Sequence, residues 1–353
     1  MNGPIGSAAG ERSARIAAAT TGKMHLLNRS DGRLQAARGL VARARSLNPD
    51  LVYCVDLAAV PVAVGLLGGR GSRMVVDTGD YPSAFLRQVG AGPFRIGAAL
   101  LMEEFVYRHA AAVVVRGRHH AAVMRGHGVR RVEVIPDGVD LSMVRPVSDL
   151  GLRARFGLAD VLTVGIAGHF TWYQSLGGGL GWELVHALAR LKDLPVHGVL
   201  IGEGPGLSHL RVLAAELGVT DRLHMLGRVP YEQYSRYLGL IDVCLLTQTN
   251  DSSSWIRTTG KLPGYLAAER YVLASAVGAA VDLLPDEMLV DYEGRWDQTY
   301  PEKLAERVRS LVADPGRLAA GSEMRVKAAE FDYSRIAARA ASLIAEVLET
   351  APR

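Results

Sequence analysis

Val199-Leu-Ile-Gly-Glu-Gly-Pro-Gly206 is an apolar run that breaks into glycines and leads into an Ala/Leu-rich stretch of helical period. An unbroken apolar run of this length fits a strand covered on both faces of a parallel sheet. The glycines let the backbone turn sharply from strand to helix. The free N–H groups of a helix start can then hold an anion. The Gly-x-Gly-x-Gly spacing falls short of the full dinucleotide fingerprint, so a plain strand-to-helix turn stays open as a reading.

The same alternation continues on both sides. Strands are expected at Leu51–Val55, Arg73–Asp77, Ala111–Val115, Val132–Ile135, Leu162–Ala167, Val196–Ile201, Arg222–Leu226, Val243–Leu246 and Tyr271–Ser275. Helices are expected at Gly32–Ser46, Phe94–His109, His119–His127, Trp182–Leu191, Gly206–Leu217, Tyr231–Leu240 and Gly260–Ala268. This order predicts an α/β fold with open, doubly wound sheets. The 353 residues suffice for two domains at about 150 residues each. The turn chemistry of Ile135-Pro-Asp-Gly-Val-Asp140, followed by Pro146, marks a boundary. We therefore expect a Rossmann-like domain over residues 1–148, with a helix at about 335–353 packing back on it. A second such domain is expected over 149–334. Ligands are expected beyond the carboxyl ends of the strands, in a cleft between the two.

Composition narrows the function classes. With 49% hydrophobic and 22% charged residues, the chain is too apolar for a disordered one. Two cysteines make no disulfide framework, and no Cys/His spacing resembles a zinc site. The apolar stretch from Leu51 to Gly69 contains Asp56 and Pro61, so no membrane span is expected. The first ten residues lack the apolar core of a signal peptide. A cytoplasmic protein is expected. The net charge of +4 is uneven: residues 1–150 carry 19 Lys/Arg against 12 Asp/Glu, and the rest 21 against 24. Only five of the 40 cations are lysines. The basic first half is either a solvated face or a docking face for an anionic acceptor or membrane surface. No nucleic-acid partner is expected.

Several segments can carry chemistry. Ser252-Ser-Ser-Trp-Ile-Arg-Thr-Thr-Gly-Lys-Leu-Pro-Gly-Tyr-Leu-Ala267 brings Arg257, the hydroxyls of Thr258 and Thr259, Gly260 and Lys261 to a helix start. Cation, hydroxyls and N–H groups converging there suit a pyrophosphate, with helix capping as the plain alternative. Leu226-Gly-Arg-Val229 closes a strand in a loop that can hold a nucleobase by backbone groups. Gly165-Ile-Ala-Gly-His-Phe170 leads into a glycine-rich loop, readable as a flap over the cleft or as a surface loop. Asp77 and Asp80 follow a strand and can orient hydroxyls or act as a base, or else serve as turn residues. His119 and His120 begin a helix after Arg116-Gly117, and the three are candidate anion contacts on the acceptor side, with helix capping as the equal alternative.

The ordered series Ile135-Pro-Asp-Gly-Val-Asp140, Leu200-Ile-Gly-Glu-Gly-Pro205, Val219-Thr-Asp-Arg-Leu-His-Met-Leu-Gly-Arg-Val-Pro230, Tyr237-Leu-Gly-Leu-Ile-Asp-Val243 and Leu262-Pro-Gly-Tyr-Leu-Ala267 with Tyr271-Val-Leu-Ala-Ser275 resembles the retaining glycosyltransferases of family 4, the group 1 type with the GT-B fold. The resemblance covers residues 110–345. It implies transfer of a sugar from a nucleotide-diphosphate donor to an acceptor hydroxyl, with retention at the anomeric carbon and no metal or other cofactor. The acceptor would be a sugar, a lipid-linked molecule or a small molecule. By position, Leu226, Gly227, Arg228 and Val229 would face the base. Arg257, Thr258, Thr259, Gly260 and Lys261 would face the diphosphate, with His169 and Gly204 on neighbouring loops.

The chain departs from the family where the chemistry is concentrated. The two glutamates that usually flank the phosphate helix are Ile256 and Gly264 here. The later glutamate usually holds the donor ribose, so its loss at Gly264 needs compensation. The usual Arg and Lys of the first loop of the donor domain fall at His169 and Leu180. The usual first-domain histidine falls in Asp77–Asp80, where Asp77 or Asp80 could replace it. The resemblance also implies an opening strand and glycine loop for the first domain, of which Gly3–Gly10 resembles a remnant; either the start codon is assigned too late or the domain is trimmed. These departures make an inactive relative that binds a nucleotide-sugar or a partner protein the alternative reading.

Overall fold

In the computed structural model, which describes residues 42, 46–47, 49–55, 73–79, 82–88, 90–174 and 176–349 (without the side chains of 85 and 88), the chain forms two α/β units. The first unit holds the described residues up to Pro136 together with those from Tyr333 onward, and the second holds Asp137–Asp332. The expected helix at 32–46 lies outside the described residues except at positions 42 and 46, and so does Asp80.

In the first unit, strands β1 (Leu51–Val55), β2 (Arg73–Asp77), β3 (Ala112–Val115) and β4 (Val132–Val134) form one parallel sheet in chain order. Helices α1 (Pro82–Gln88), α2 (Pro93–His109) and α3 (Arg118–Gly126) lie between the strands in sequence. The Ser83 N–H donates to Glu103 Oε1 at 2.7 Å and ties α1 to α2. β3 is buried along its whole length, as its unbroken apolar run requires.

In the second unit, β5 (Leu162–His169), β8 (Val196–Glu203), β9 (Leu223–Gly227), β10 (Val243–Leu246), β11 (Tyr271–Ser275) and β12 (Leu289–Val290) form a parallel sheet. Its spatial order is β12-β11-β10-β5-β8-β9. Counted within the unit, that is the 3-2-1-4-5-6 order of a doubly wound nucleotide-binding sheet, with its switch point between β5 and β10. Between β5 and β8, a two-stranded hairpin, β6 (Trp172–Tyr173) with β7 (Gly178–Gly179), departs from the parallel pattern.

The helices of this unit are α4 (Leu150–Arg155), α5 (Trp182–Arg190), α6 (Gly206–Glu216), α7 (Tyr234–Leu238), α8 (Ser252–Ile256), α9 (Lys261–Ala267), α10 (Ala279–Leu283), α11 (Tyr300–Ala313), α12 (Ala320–Glu323) and α13 (Arg325–Ala328). They close a core in which Val164, Ile166, Val199, Leu200, Leu245 and Leu273 are at most 1% exposed. The last helix, α14 (Tyr333–Glu349), returns to the first unit. There Leu343 and Val347 pack against Val75 and Val114 of the sheet.

The glycine-rich stretch expected as a flap is the β6–β7 hairpin and its approach to α5. Gly178 and Gly179 are there for close packing. A Cβ on Gly178 would lie 2.2 Å from the Trp296 ring, and one on Gly179 would lie 2.0 Å from the Thr171 carbonyl. Gly181 caps α5 with φ +95°, a conformation that excludes most side chains.

Candidate functional site

The carboxyl edge of the second sheet gathers most of the candidate residues. β5 ends at Gly168 and His169, which pair in register with Gly202 and Glu203 of β8. The strands approach so closely here that a Cβ on Gly202 would sit 1.9 Å from the Gly168 carbonyl. Gly204, with φ +145°, meets the Phe170 carbonyl at 2.2 Å in the same way. These glycines of the opening motif therefore serve backbone packing at the sheet edge. His169 is exposed beside them.

Lys261 lies across this edge. A Cβ on Gly168 would fall 2.6 Å from Lys261 Cε and 3.5 Å from its Nζ, so the missing side chain makes the room the lysine occupies. Helix α9 holds the lysine there. Tyr265, one turn on, accepts from the Ala167 N–H at 3.0 Å through its hydroxyl. Leu262–Ala267 are all buried. Burial, followed by the nearby charge of Arg257, pulls the Lys261 ammonium below its usual range. Among the described residues the ammonium has no hydrogen bond and no carboxylate partner. A cation brought to a sheet edge without a counter-ion is set up to receive an anion.

The loop before α9 is firmly built. Gln248 Nε2 donates to the carbonyls of Ser254 at 3.2 Å and Arg257 at 3.3 Å. Asp251 caps α8, accepting from Ser253 N at 2.9 Å and Ser254 N at 3.0 Å. Thr258 is buried, and the buried Thr259 Oγ1 has no hydrogen-bond partner. An orphaned buried hydroxyl costs about 1–3 kcal/mol and calls for a water or a ligand. Gly260 precedes α9, and a Cβ there would meet Asp137 at 3.7 Å.

At the end of β9, Leu226 and Val229 pack on the core while Gly227 turns the chain at φ +73°. Arg228 Nη1 pairs with Glu203 Oε1 at 3.2 Å, linking this loop to the one after β8. The position of the first expected carboxylate, Ile256, is core. Beside the second, Gly264, the hydroxyl of Tyr234 lies 3.5 Å from where a Cβ would be. Sequence reasoning missed both Tyr234 and the pairing of Gly168 with Lys261. No local pattern signals either, because each joins segments far apart in the chain.

In the first unit, Asp77 ends β2 and is already engaged. Tyr53 donates to Oδ2 at 2.7 Å, and Arg116 Nη1 lies 2.7 Å from Oδ1. Arg116 also donates to the Ile135 carbonyl at 3.1 Å. The three side chains brace the carboxyl ends of the first sheet. The charge of Arg116 is met by Asp77. His120 is completely buried, and His119 is partly buried at the start of α3.

Cys54 and Cys244 are free and buried, and burial pushes the Cys54 thiol up to about 12. Among the described residues, no group of three or more His, Cys, Asp or Glu could hold a metal ion. No described helix is long and apolar enough to cross a membrane.

No family model matches the chain. Among curated proteins, D-inositol 3-phosphate glycosyltransferase of Geodermatophilus obscurus is 29% identical over 254 residues, 67% of this chain and 53% of its own length. The protein of the same name from Thermobispora bispora is 29% identical over 233 residues, 63% of this chain and 52% of its own. The 2-deoxystreptamine glucosyltransferase of Streptomyces kanamyceticus is 25% identical over 162 residues, 42% of this chain and 40% of its own. The chain thus spans about half the length of the curated relatives it matches, or less.

Among solved structures, sucrose-phosphate synthase from Thermosynechococcus elongatus superposes with a TM-score of 0.73 at 20% identity, covering 93% of this chain and 82% of its own. Anabaena Alr3699/HepE, solved in complex with UDP-glucose, gives 0.69 at 18% identity, covering 88% and 82%. The two Rossmann-like units are those of the GT-B fold.

Proposed function

We propose that the chain is a retaining glycosyltransferase that moves a sugar from a nucleotide-diphosphate sugar to an acceptor hydroxyl. The observation that carries this reading is Lys261, which crosses Gly168 at the switch point of the second sheet without a counter-ion. A diphosphate bound there would meet Lys261, Arg257, the Thr259 hydroxyl and the start of α9. The base would lie against Leu226–Val229, with His169 and Gly204 on the adjoining loops. In the reaction the anomeric C–O bond to the diphosphate breaks and a bond to the acceptor oxygen forms. The departing diphosphate oxygen takes the negative charge of the broken bond and accepts the acceptor's proton. Lys261 and Arg257 stabilise that developing charge without a metal.

The proposed acceptor-side residues are those of the first unit: Arg116 and His119, with the completely buried His120 behind them and Asp77 or Asp80 orienting the hydroxyl. Support for an anionic membrane surface near the acceptor comes from the arginine excess of this half and from exposed Phe94, Leu101 and Met102 on α2.

The alternative is a relative that binds a nucleotide-sugar without turning it over. Buried Ile256 and bare Gly264 where carboxylates are usual favour it, as does the pairing of Asp77 with Arg116. One experiment separates the two. Purified protein is incubated with a panel of nucleotide-sugars and cell-extract acceptors, and both binding and nucleoside diphosphate release are followed. Release supports the transferase. Binding without release supports the inactive relative, and no binding to any donor refutes both.

A further inference from the structure

We propose that Tyr234 is the residue that binds the donor ribose, through its phenolic hydroxyl. The inference rests on the nucleotide-sugar reading above and adds a contact that reading does not contain. Tyr234 opens α7, just beyond the Gly227–Pro230 loop assigned to the base. Gly264 lies on α9, one turn beyond Lys261, assigned to the diphosphate. The Tyr234 side chain reaches from α7, which follows the first segment, to α9, which carries the second, and its hydroxyl lies 3.5 Å from where a Gly264 side chain would begin. In any nucleotide the ribose is the covalent link between base and phosphate. A neutral hydrogen-bonding group placed between a base seat and a phosphate seat therefore meets ribose hydroxyls.

The hydroxyl is available for this. The ring is partly buried and stacks with Tyr231 at a centroid distance of 6.2 Å. Among the described residues the hydroxyl has no hydrogen-bond partner. A phenol hydroxyl on a partly buried ring, with no protein partner, can give its hydrogen bonds to a ligand. The bare Gly264 keeps the approach open: any side chain longer than a methyl would compete with the hydroxyl for the same space. Burial raises the phenol above its usual range, so it stays protonated at neutral pH and can both donate and accept.

The test compares UDP, GDP and ADP with their 2′-deoxy and 3′-deoxy forms and with the monophosphates by calorimetric titration of the full chain. One neutral hydrogen bond is worth about 2- to 12-fold in affinity. The wild type is expected to prefer the ribose form of its best nucleotide over one of the deoxy forms by that factor. Tyr234→Phe, which keeps the ring and its stacking, is expected to lose the preference while still favouring diphosphate over monophosphate. Gly264→Glu in the Tyr234→Phe background is expected to restore a ribose preference by returning a polar group to the same space. A Tyr234→Phe protein that keeps the full ribose preference overturns the proposal and leaves the donor reading standing. A wild type that binds none of the three nucleotides overturns both.

Discussion

Replacing Lys261 by methionine removes the ammonium and keeps the length and most of the apolar contact of the side chain. In the ligand-free protein the charge sits against the bare backbone of Gly168 with no carboxylate partner among the described residues. Burial and the Arg257 charge together lower its pKa. The folded state therefore releases this proton at a lower pH than the unfolded state does. The unfolded chain binds more protons between the two pKa values, so stability rises with pH across that window, and the penalty is fully present below it. Lys261→Met is thus expected to raise the melting temperature at neutral pH.

Binding should move the other way. A charge-assisted hydrogen bond from a partly buried ammonium to a phosphate oxygen is worth about 1.5–3 kcal/mol, or roughly 10- to 150-fold in affinity. Arg257 remains and keeps some attraction. Titration calorimetry with a nucleoside diphosphate and the nucleoside without phosphate isolates the effect. The diphosphate should lose that factor, while the nucleoside without phosphate is unchanged. A variant that melts lower, or that holds the diphosphate as tightly as the wild type, refutes the reasoning.

Other consequences follow from particular contacts. Gly168→Ala places a methyl 2.6 Å from Lys261 Cε, and the flexible lysine can yield at little cost to folding. Diphosphate affinity is expected to fall about 10-fold, in the range of one charged hydrogen bond, with a small change in thermal melt. Glu183 is buried at the start of α5, and burial raises its carboxyl to about 7. Between its ordinary value of 4.5 and that value the folded state holds a proton the unfolded state has released, so stability falls as pH rises through the window. Glu183→Gln should flatten that part of a urea-denaturation pH profile and stabilise the protein at pH about 8 by up to ~3 kcal/mol. Glu269, after α9, has φ +57°, and its pairing with Arg325 is loose at 3.7 Å. Glu269→Gly relieves the left-handed strain and is expected to stabilise by about 1 kcal/mol, read by denaturant titration.

The long apolar strands were legible because burial on both faces leaves no alternation to misread. Val243–Leu246 and Tyr271–Ser275 match their expected bounds, while β5 and β8 run two residues further than the expected Ala167 and Ile201. Those extra residues, Gly168-His169 and Gly202-Glu203, read as loop in sequence because glycine carries no strand signal. Only the close backbone approach explains them. The two-residue strands β6, β7 and β12 are too short to show a period. The expected helix at Tyr231–Leu240 is a 3-10 turn at Tyr231–Gln233 followed by the short α7.

At the candidate site, the Thr258-Thr259-Gly260-Lys261 run stood out locally because lysine is scarce in this chain. What gives the lysine its setting, Gly168 of β5, lies far away in sequence and comes together only in the fold. Asp77 reads in sequence as a carboxylate at a strand end that can orient a hydroxyl, act as a base or serve a turn. Its partners, Tyr53 on β1 and Arg116 just after β3, are far from it in the chain and could not be seen from any local pattern.

The central claim is that the carboxyl edge of the second sheet seats a nucleoside diphosphate. A crystal structure with UDP, GDP or ADP bound tests it most directly. The account predicts phosphate oxygens within hydrogen-bond distance of Lys261 Nζ, above Gly168, and the base against Leu226–Val229. A nucleotide seated elsewhere, with Lys261 untouched, would contradict it.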